Sequence, residues 1–240
     1  MLDVVVPVYN EGKNIRTQLL RVEECIKSSK RVLIIYDFEE DDTLPELDAV
    51  EHELSYPITR IKNKYGRGAL NAIKTGLEEA DSEAVLVMMA DLSDSIEIVD
   101  DMYNLIISGE ADLVCGSRYM KGGKQHGGPV LKGLFSRTAG VTLHVLSGIP
   151  THDVTNSFKM YRKKMLNSIT VESSGGFEIG MEITVKAYLN GYTIKEIPSE
   201  WFDRSEGKSN FHMWKWLSNY LHWYFLCLFS RKGRNNGYKK

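Results

Sequence analysis

Two aspartates in this chain each close a short apolar run: Asp37 follows Arg31 to Tyr36, and Asp91 follows Ala84 to Met89. Carboxylates at the ends of parallel strands face the crevice where open α/β sheets bind ligands. One such acid can accept hydrogen bonds from a base or ribose. The other can hold a hard divalent cation that neutralises a diphosphate leaving group. Taken alone, an Asp after a strand reads equally as a turn or helix-capping residue, so the argument rests on the pair.

Other nucleotide and catalytic patterns are missing. Only Gly12 follows the first apolar run, so there is no dinucleotide fingerprint, and no Gly-rich stretch ends in Gly-Lys-Ser/Thr. Gly66-Arg67-Gly68 precedes a helical segment and could bring amides and a guanidinium to a phosphate. His126, His144, His152, His212 and His222 lack zinc-ligand spacing, and no Gly-x-Ser-x-Gly elbow occurs.

The elements that must position these acids follow an alternation of β-branched runs and helical periods, the signature of a mostly parallel sheet covered by helices. Asp3 to Val8 reads as the first strand, with Asn10 capping a helix whose stripe is Ile15, Leu19, Val22 and Ile26. Further strands are expected at Arg31–Tyr36, Thr59–Lys62, Ala84–Met89 and Asp112–Gly116, and helices at Gly68–Ala80 and Ile96–Ile107, the latter stopped by Gly109. Gly122, Gly123, Gly127, Gly128 and Pro129 suggest a flexible loop that closes over a ligand, followed by an apolar helix through Val145. Ser157–Arg162 alternates like a strand, Phe177–Leu189 is amphipathic, and Thr193–Phe202 is a strand broken by Pro198.

The chain has 240 residues, 42% hydrophobic and 26% charged, which suits one soluble α/β domain and excludes general disorder or a polytopic membrane protein. A net charge of −2 gives no electrostatic reason to expect nucleic acid. Three scattered cysteines read as reduced thiols, and the start lacks leader character, so a cytoplasmic location is expected. Residues 1–210 are expected to form the catalytic domain and 211–240 an aromatic and basic C-terminal helix and tail. The apolar stretch around Trp214, Trp216, Tyr220, Trp223, Tyr224, Phe225 and Phe229 is too short to span a bilayer. With its basic tail it suits the headgroup layer of an anionic leaflet, or else packs on the sheet or in a homodimer contact.

Several segments, in order, resemble family-two glycosyltransferases with the A-type fold, and in outline the dolichol-phosphate mannosyltransferases and related polyprenyl-phosphate glycosyltransferases. They are Val5-Val6-Pro7-Val8-Tyr9-Asn10-Glu11, Tyr36-Asp37, Gly66-Arg67-Gly68-Ala69-Leu70-Asn71-Ala72, Val87-Met88-Met89-Ala90-Asp91-Leu92, Gly116-Ser117-Arg118-Tyr119, Ser136-Arg137, Asp153 to Lys159, Phe177-Glu178-Ile179 with Glu182, and Phe202 to Ser209. The resemblance covers about residues 2 to 210. It implies that Pro7, Tyr9, Glu11, Asp37 and Gly68 line the nucleotide pocket, that Asp91 binds Mg²⁺ or Mn²⁺, and that Arg118 and Arg137 lie near an acceptor phosphate. Arg204 belongs to a late loop that closes over the substrates.

The departures are specific. Met89 replaces the first acid of Asp-x-Asp, and a thioether is a poor ligand for a hard cation, so metal binding falls to Asp91 and the diphosphate, helped by Asp94 or Ser93. Phe38 replaces a frequent second Asp, Asn156-Ser157 replaces Ser-Gly, and Lys159 replaces Arg. The implied reaction is an inverting transfer from a UDP- or GDP-sugar. A polyprenyl-phosphate acceptor is already a nucleophile, with Arg118, Arg137 and Arg204 as clamps. A saccharide hydroxyl, as in cell-surface polysaccharide synthesis, needs a base, for which Asp153 or Glu182 could serve. The non-enzymatic alternative is a nucleotide-sugar-binding subunit. A sugar-phosphate nucleotidyltransferase would need a Gly- and Arg-containing loop that Asn10-Glu11-Gly12-Lys13 does not supply.

Overall fold

The continuous β-branched run Val4-Val5-Val6 makes β1 (Leu2–Pro7) a strand with both faces buried. The structure, a computed structural model, describes residues 1–203 and 213–230. Around β1 run β2 (Lys30–Tyr36), β3 (Ile58–Lys62), β4 (Ala84–Val87), β5 (Leu113–Ser117), β7 (Lys159–Arg162) and β8 (Ile194–Pro198). They form one seven-stranded sheet of order β3-β2-β1-β4-β7-β5-β8. All neighbours are parallel except that β7 runs against both β4 and β5. The start of β7, not its end, therefore reaches the carboxyl edge of the other strands and brings residues 153–157 to it.

Helices cover both faces. One side is packed by α1 (Gly12–Cys25), α2 (Thr43–Val50) and α4 (Val99–Ile107), whose Ile15, Leu19, Leu47 and Met102 meet Val4, Val6, Ile34 and Leu86 of the sheet. The opposite side carries α3 (Ala69–Glu79), α5 (Val130–Ser147), the short α6 (Lys163–Leu166), α7 (Ile179–Leu189) and α8 (Met213–Phe229), with Val5, Ile35, Val87 and Tyr161 beneath them. Contact between α3 and β1 is close enough that a Cβ on Gly76 would lie 2.2 Å from Val5 Cγ1. The side chain of α7 is buried all round, which explains its weak amphipathic period.

Three expectations change, and α8 takes a packing position of the kind left open. Asn10 does not cap α1: Glu11 occupies the cap position without a side-chain bond. The amides of Asn10, Glu11 and Gly12 instead donate to Asp41, Thr43 and Asp42, so part of the acidic 37–53 segment closes the helix start from outside and continues as α2. The glycine-rich 122–129 segment is pinned, because β6 (Lys124–His126) pairs in parallel with β9 (Glu200–Phe202). The Thr193–Phe202 strand becomes β8 and β9 in separate sheets, since Pro198 cannot donate to a continuing ladder. Finally, α8 packs on α5 and α7, with Trp223 and Cys227 buried in the core.

Candidate active site

The carboxyl edge gathers the ends of β1, β2, β3, β4 and β5. At β1, Pro7 is partly buried and Tyr9 is 47% exposed. Glu11 accepts a 2.8 Å bond from Asn14 Nδ2. Asp37 follows β2, and its carboxylate accepts from Asn63 Nδ2 at 2.8 Å and from the Gly68 amide at 2.9 Å. It thereby fixes the Gly66–Gly68 turn, where Gly68 sits at φ 124°, a region that side chains disfavour. Phe38 meets Tyr9 edge to face at 5.6 Å, and the Arg67 guanidinium lies 4.7 Å over the Phe38 ring. Arg67 is thus held against an aromatic face by a cation–π contact.

Beside this edge lies a cleft of about 700 Å³ whose lining includes Met89, Asp91, Ser93 and Arg118. Leu92 sits at φ 63°, a conformation rare for a branched side chain, and the tight turn it makes lets Ser93 Oγ donate to Asp91 Oδ1 at 2.6 Å. Asp94 is buried behind the turn and accepts from the Met89 amide at 3.2 Å. Burial, and then the charge of Asp91, push the Asp94 carboxyl up to about 7. Asp91 and Ser93 present oxygen to the cleft while Met89 presents none. Among the described residues, no group of three or more His, Cys, Asp or Glu could hold a metal ion unaided. One carboxylate with substrate phosphates completing the shell is nonetheless an ordinary Mg²⁺ site, so these residues fit such an ion.

Arg118 follows β5 and is held by Asp153 in a buried ion pair, with Nε to Oδ2 at 2.7 Å and Nη2 to Oδ1 at 2.9 Å. Nη2 also donates to Ser136 Oγ at 3.1 Å. Burial opposes both charges, yet each partner outweighs it: the net shift is down for Asp153 and up for Arg118.

Asp153 is therefore no free base, which corrects one expectation. Glu182 corrects a second: it is fully buried and accepts from the amides of Glu172 and Ser173 and from Lys186 Nζ, at 2.6, 2.8 and 2.6 Å. Arg137 is exposed on α5 and does not line the cleft; Lys132 and Ser136 of that helix do. Arg204 lies outside the described residues.

Phe135 of α5 and Leu217, Tyr220, Leu221 and Tyr224 of α8 give the same cleft a largely apolar wall. Polar contacts fix α8 there: Asn219 Nδ2 to Glu178 at 3.1 Å, Trp223 Nε1 to Ser173 Oγ at 3.1 Å, and Tyr224 OH with Thr142 Oγ1 at 2.9 Å. The sequence reading missed this wall, although Leu217, Tyr220, Leu221 and Tyr224 recur at spacings of three, one and three, one stripe of a helix. It also missed Lys132, for which no local pattern exists.

A dolichol-phosphate mannosyltransferase of Pyrococcus furiosus is 28% identical over 87% of this chain and 58% of its own length. A polyprenol monophosphomannose synthase of Mycolicibacterium smegmatis is 30% identical over 86% of this chain and 79% of its own. The chain thus spans somewhat over half the length of the first relative. Glucosyl-3-phosphoglycerate synthase of Mycobacterium tuberculosis, solved with Mn²⁺, UDP-glucose and phosphoglyceric acid, superposes with a TM-score of 0.69 at 12% identity, covering 96% of this chain and 80% of that one. The same fold was also solved with Mg²⁺ and UDP. These likenesses confirm the A-type fold. The sequence profile described as Glycosyl transferase family 2 matches residues 3–170, and the chain belongs to that family.

Proposed function

We propose that the protein transfers a sugar, with inversion, from a nucleoside-diphosphate sugar to a polyprenyl phosphate. The observation that carries this reading is the mixed lining of one cleft: Asp91, Arg118 and Lys132 share it with apolar Phe135, Leu217 and Leu221. An amphiphilic phosphate offers a charged group and an apolar chain to match. Two relatives named for dolichol or polyprenol mannose transfer support the acceptor class. Residues 1–210 supply donor binding and chemistry, and the 211–240 segment shares the lipid side with α5.

Pro7, Tyr9, Glu11, Asp37 and Gly68 hold the nucleotide at the edge of β1 and β2. Asp91, with Ser93 beside it, would hold Mg²⁺ or Mn²⁺, which when bound would supply positive charge to the departing diphosphate. Arg118, Lys132 and Arg204 orient the acceptor. A phosphate oxygen of the acceptor attacks the anomeric carbon, the bond from that carbon to the donor diphosphate breaks, and the nucleoside diphosphate leaves with the bonding pair. No proton need be removed, because the attacking oxygen is already anionic. This agrees with Asp153 and Glu182 being engaged by Arg118 and Lys186 rather than poised as bases.

The acceptor lipid requires a bilayer. Among the described residues, no helix is long and apolar enough to cross one. The outer faces of α5 and α8 expose Val130, Leu134, Val145, Phe225 and Phe229, by 86, 60, 71, 47 and 78%. Such a patch is the kind that contacts membranes or partners. Here it rests on the cytosolic leaflet, peripherally, on the two helices that also give the cleft its apolar wall.

The reading is tested by incubating the protein with radiolabelled UDP- and GDP-sugars, a polyprenyl phosphate and Mg²⁺ or Mn²⁺. Label extracted into organic solvent as a sugar phosphate lipid supports it. Label transferred only to soluble saccharide refutes it.

A further inference from the structure

Lys159 opens β7 in the middle of the sheet, paired with Val87 on one side and Cys115 on the other. Its side chain is completely buried. The ammonium stands beside Gly180 in the first turn of α7, the positive end of a helix dipole. Among the described residues it has no ion-pair partner. Its hydrogen-bond acceptors are two main-chain carbonyls, Val154 O at 3.1 Å and Asn156 O.

Burial pushes the pKa of Lys159 down, while Cys115 and Asp153 pull it up and Arg118 opposes them. A buried cation without a carboxylate in contact is unfavourable for stability, and an apolar residue of similar length would avoid that cost. The compensation lies in what the ammonium holds. Val154 and Asn156 belong to the turn between Asp153 and β7. From this turn Asp153 grips Arg118, and Thr155 contacts both Arg118 and Ser136. Asn156 Nδ2 donates to Gly116 O at 2.9 Å, and both Thr155 and Asn156 line the cleft.

We propose that Lys159 is a positioning residue for the acceptor side of the cleft: by clamping the 154–156 carbonyls it holds Asp153, and through it Arg118, in the orientation that meets the acceptor phosphate. This inference rests on the proposed acceptor reading. It assigns Lys159 no contact with substrate. It also accounts for a long cationic side chain among the apolar neighbours Val87, Met160 and Cys115.

The test uses Lys159→Met and Lys159→Arg in the full chain, with hydrogen exchange, donor affinity and polyprenyl-phosphate kinetics. For Lys159→Met, exchange is expected to quicken across residues 153–157 and the acceptor KM to rise at least tenfold, with donor Kd within twofold of wild type. Lys159→Arg, which keeps a charged donor able to reach both carbonyls, is expected to restore the acceptor KM to within about threefold. Should Lys159→Met fail to fold, Lys159→Gln is measured in the same way. Unchanged exchange at 153–157, or a donor Kd that worsens in step with the acceptor KM, overturns the inference. If the wild type transfers sugar to no polyprenyl phosphate, the functional reading fails, while the exchange result still decides the role of Lys159.

Discussion

Asp153 grips Arg118 through three bonds: the two side-chain contacts at 2.7 and 2.9 Å and a 3.0 Å bond from the Arg118 amide to Oδ2. The pair is buried and therefore strongly coupled. Asp153→Asn would leave the guanidinium uncompensated, and breaking such a pair typically removes about 3–5 kcal/mol. Urea unfolding at pH 7 is expected to show a loss in this range. A change below about 1 kcal/mol would mean that the pair is not a structural anchor.

Because the depressed Asp153 pKa stabilises the fold only while the carboxylate is charged, its contribution is complete above the ordinary Asp range. It is lost as pH falls through the lowered folded value. Asp94 behaves oppositely. Its folded pKa is raised to about 7, so its burial is tolerated at low pH and becomes destabilising as pH rises through neutrality. Asp94→Asn is expected to gain stability relative to wild type at pH 8.5, on the order of 2–4 kcal/mol, and much less at pH 4. A pH-independent difference in melting would contradict this assignment.

Metal dependence should centre on Asp91. With wild type, the best UDP- or GDP-sugar plus Mn²⁺ is expected to raise the melting temperature more than the sugar alone, since ligand at 100 times Kd adds about 2.7 kcal/mol. Asp91→Asn should abolish the metal-dependent increment. Met89→Asp, which restores a second oxygen ligand, should increase it. Equal shifts with and without metal in all three proteins would remove the cation from the account.

Arg118→Gln is expected to raise the acceptor KM tenfold or more with little change in donor affinity, because the shorter neutral side chain offers no charge to the phosphate, and to lower stability by leaving buried Asp153 without its partner. Loss of donor binding in the same variant would place Arg118 on the wrong substrate.

Flotation with anionic vesicles examines the exposed apolar face. The wild type should float, and Leu134→Glu with Val145→Glu should not, while donor-induced thermal shifts persist in both. Flotation that survives the double substitution would move the contact elsewhere.

Much of this architecture was legible in the sequence because local signals and tertiary demands agreed. The runs at Val4–Val6, Val32–Ile35 and Ala84–Val87 are apolar on both faces, as buried parallel strands require, so Asp37 falls directly after β2 as expected, while β4 stops at Val87, short of the expected Met89, and leaves Asp91 in the turn beyond it. The Asn10 cap was misread because Asp41, Asp42 and Thr43, thirty residues onward, fill that role, and a local pattern cannot register a distant partner. Glycines at 122–128 suggested mobility, yet pairing of Lys124–His126 with Glu200–Phe202 is a long-range event. Asp153 and Glu182 looked like candidate bases by residue type alone. Only the fold shows that Arg118 and Lys186 already engage them. Likewise, nothing in the local sequence marks Lys159 as buried without an acid.

The central claim is that the acceptor brings its own charged nucleophile to a cleft that needs no base. The most direct measurement compares transfer to a polyprenyl phosphate with transfer to the matching polyprenol, using one donor and saturating Mn²⁺ at pH 7.5. The account predicts turnover of the phosphate and at least a hundredfold lower kcat/KM for the alcohol, which would have to lose a proton to attack. Comparable rates for the two acceptors would contradict it.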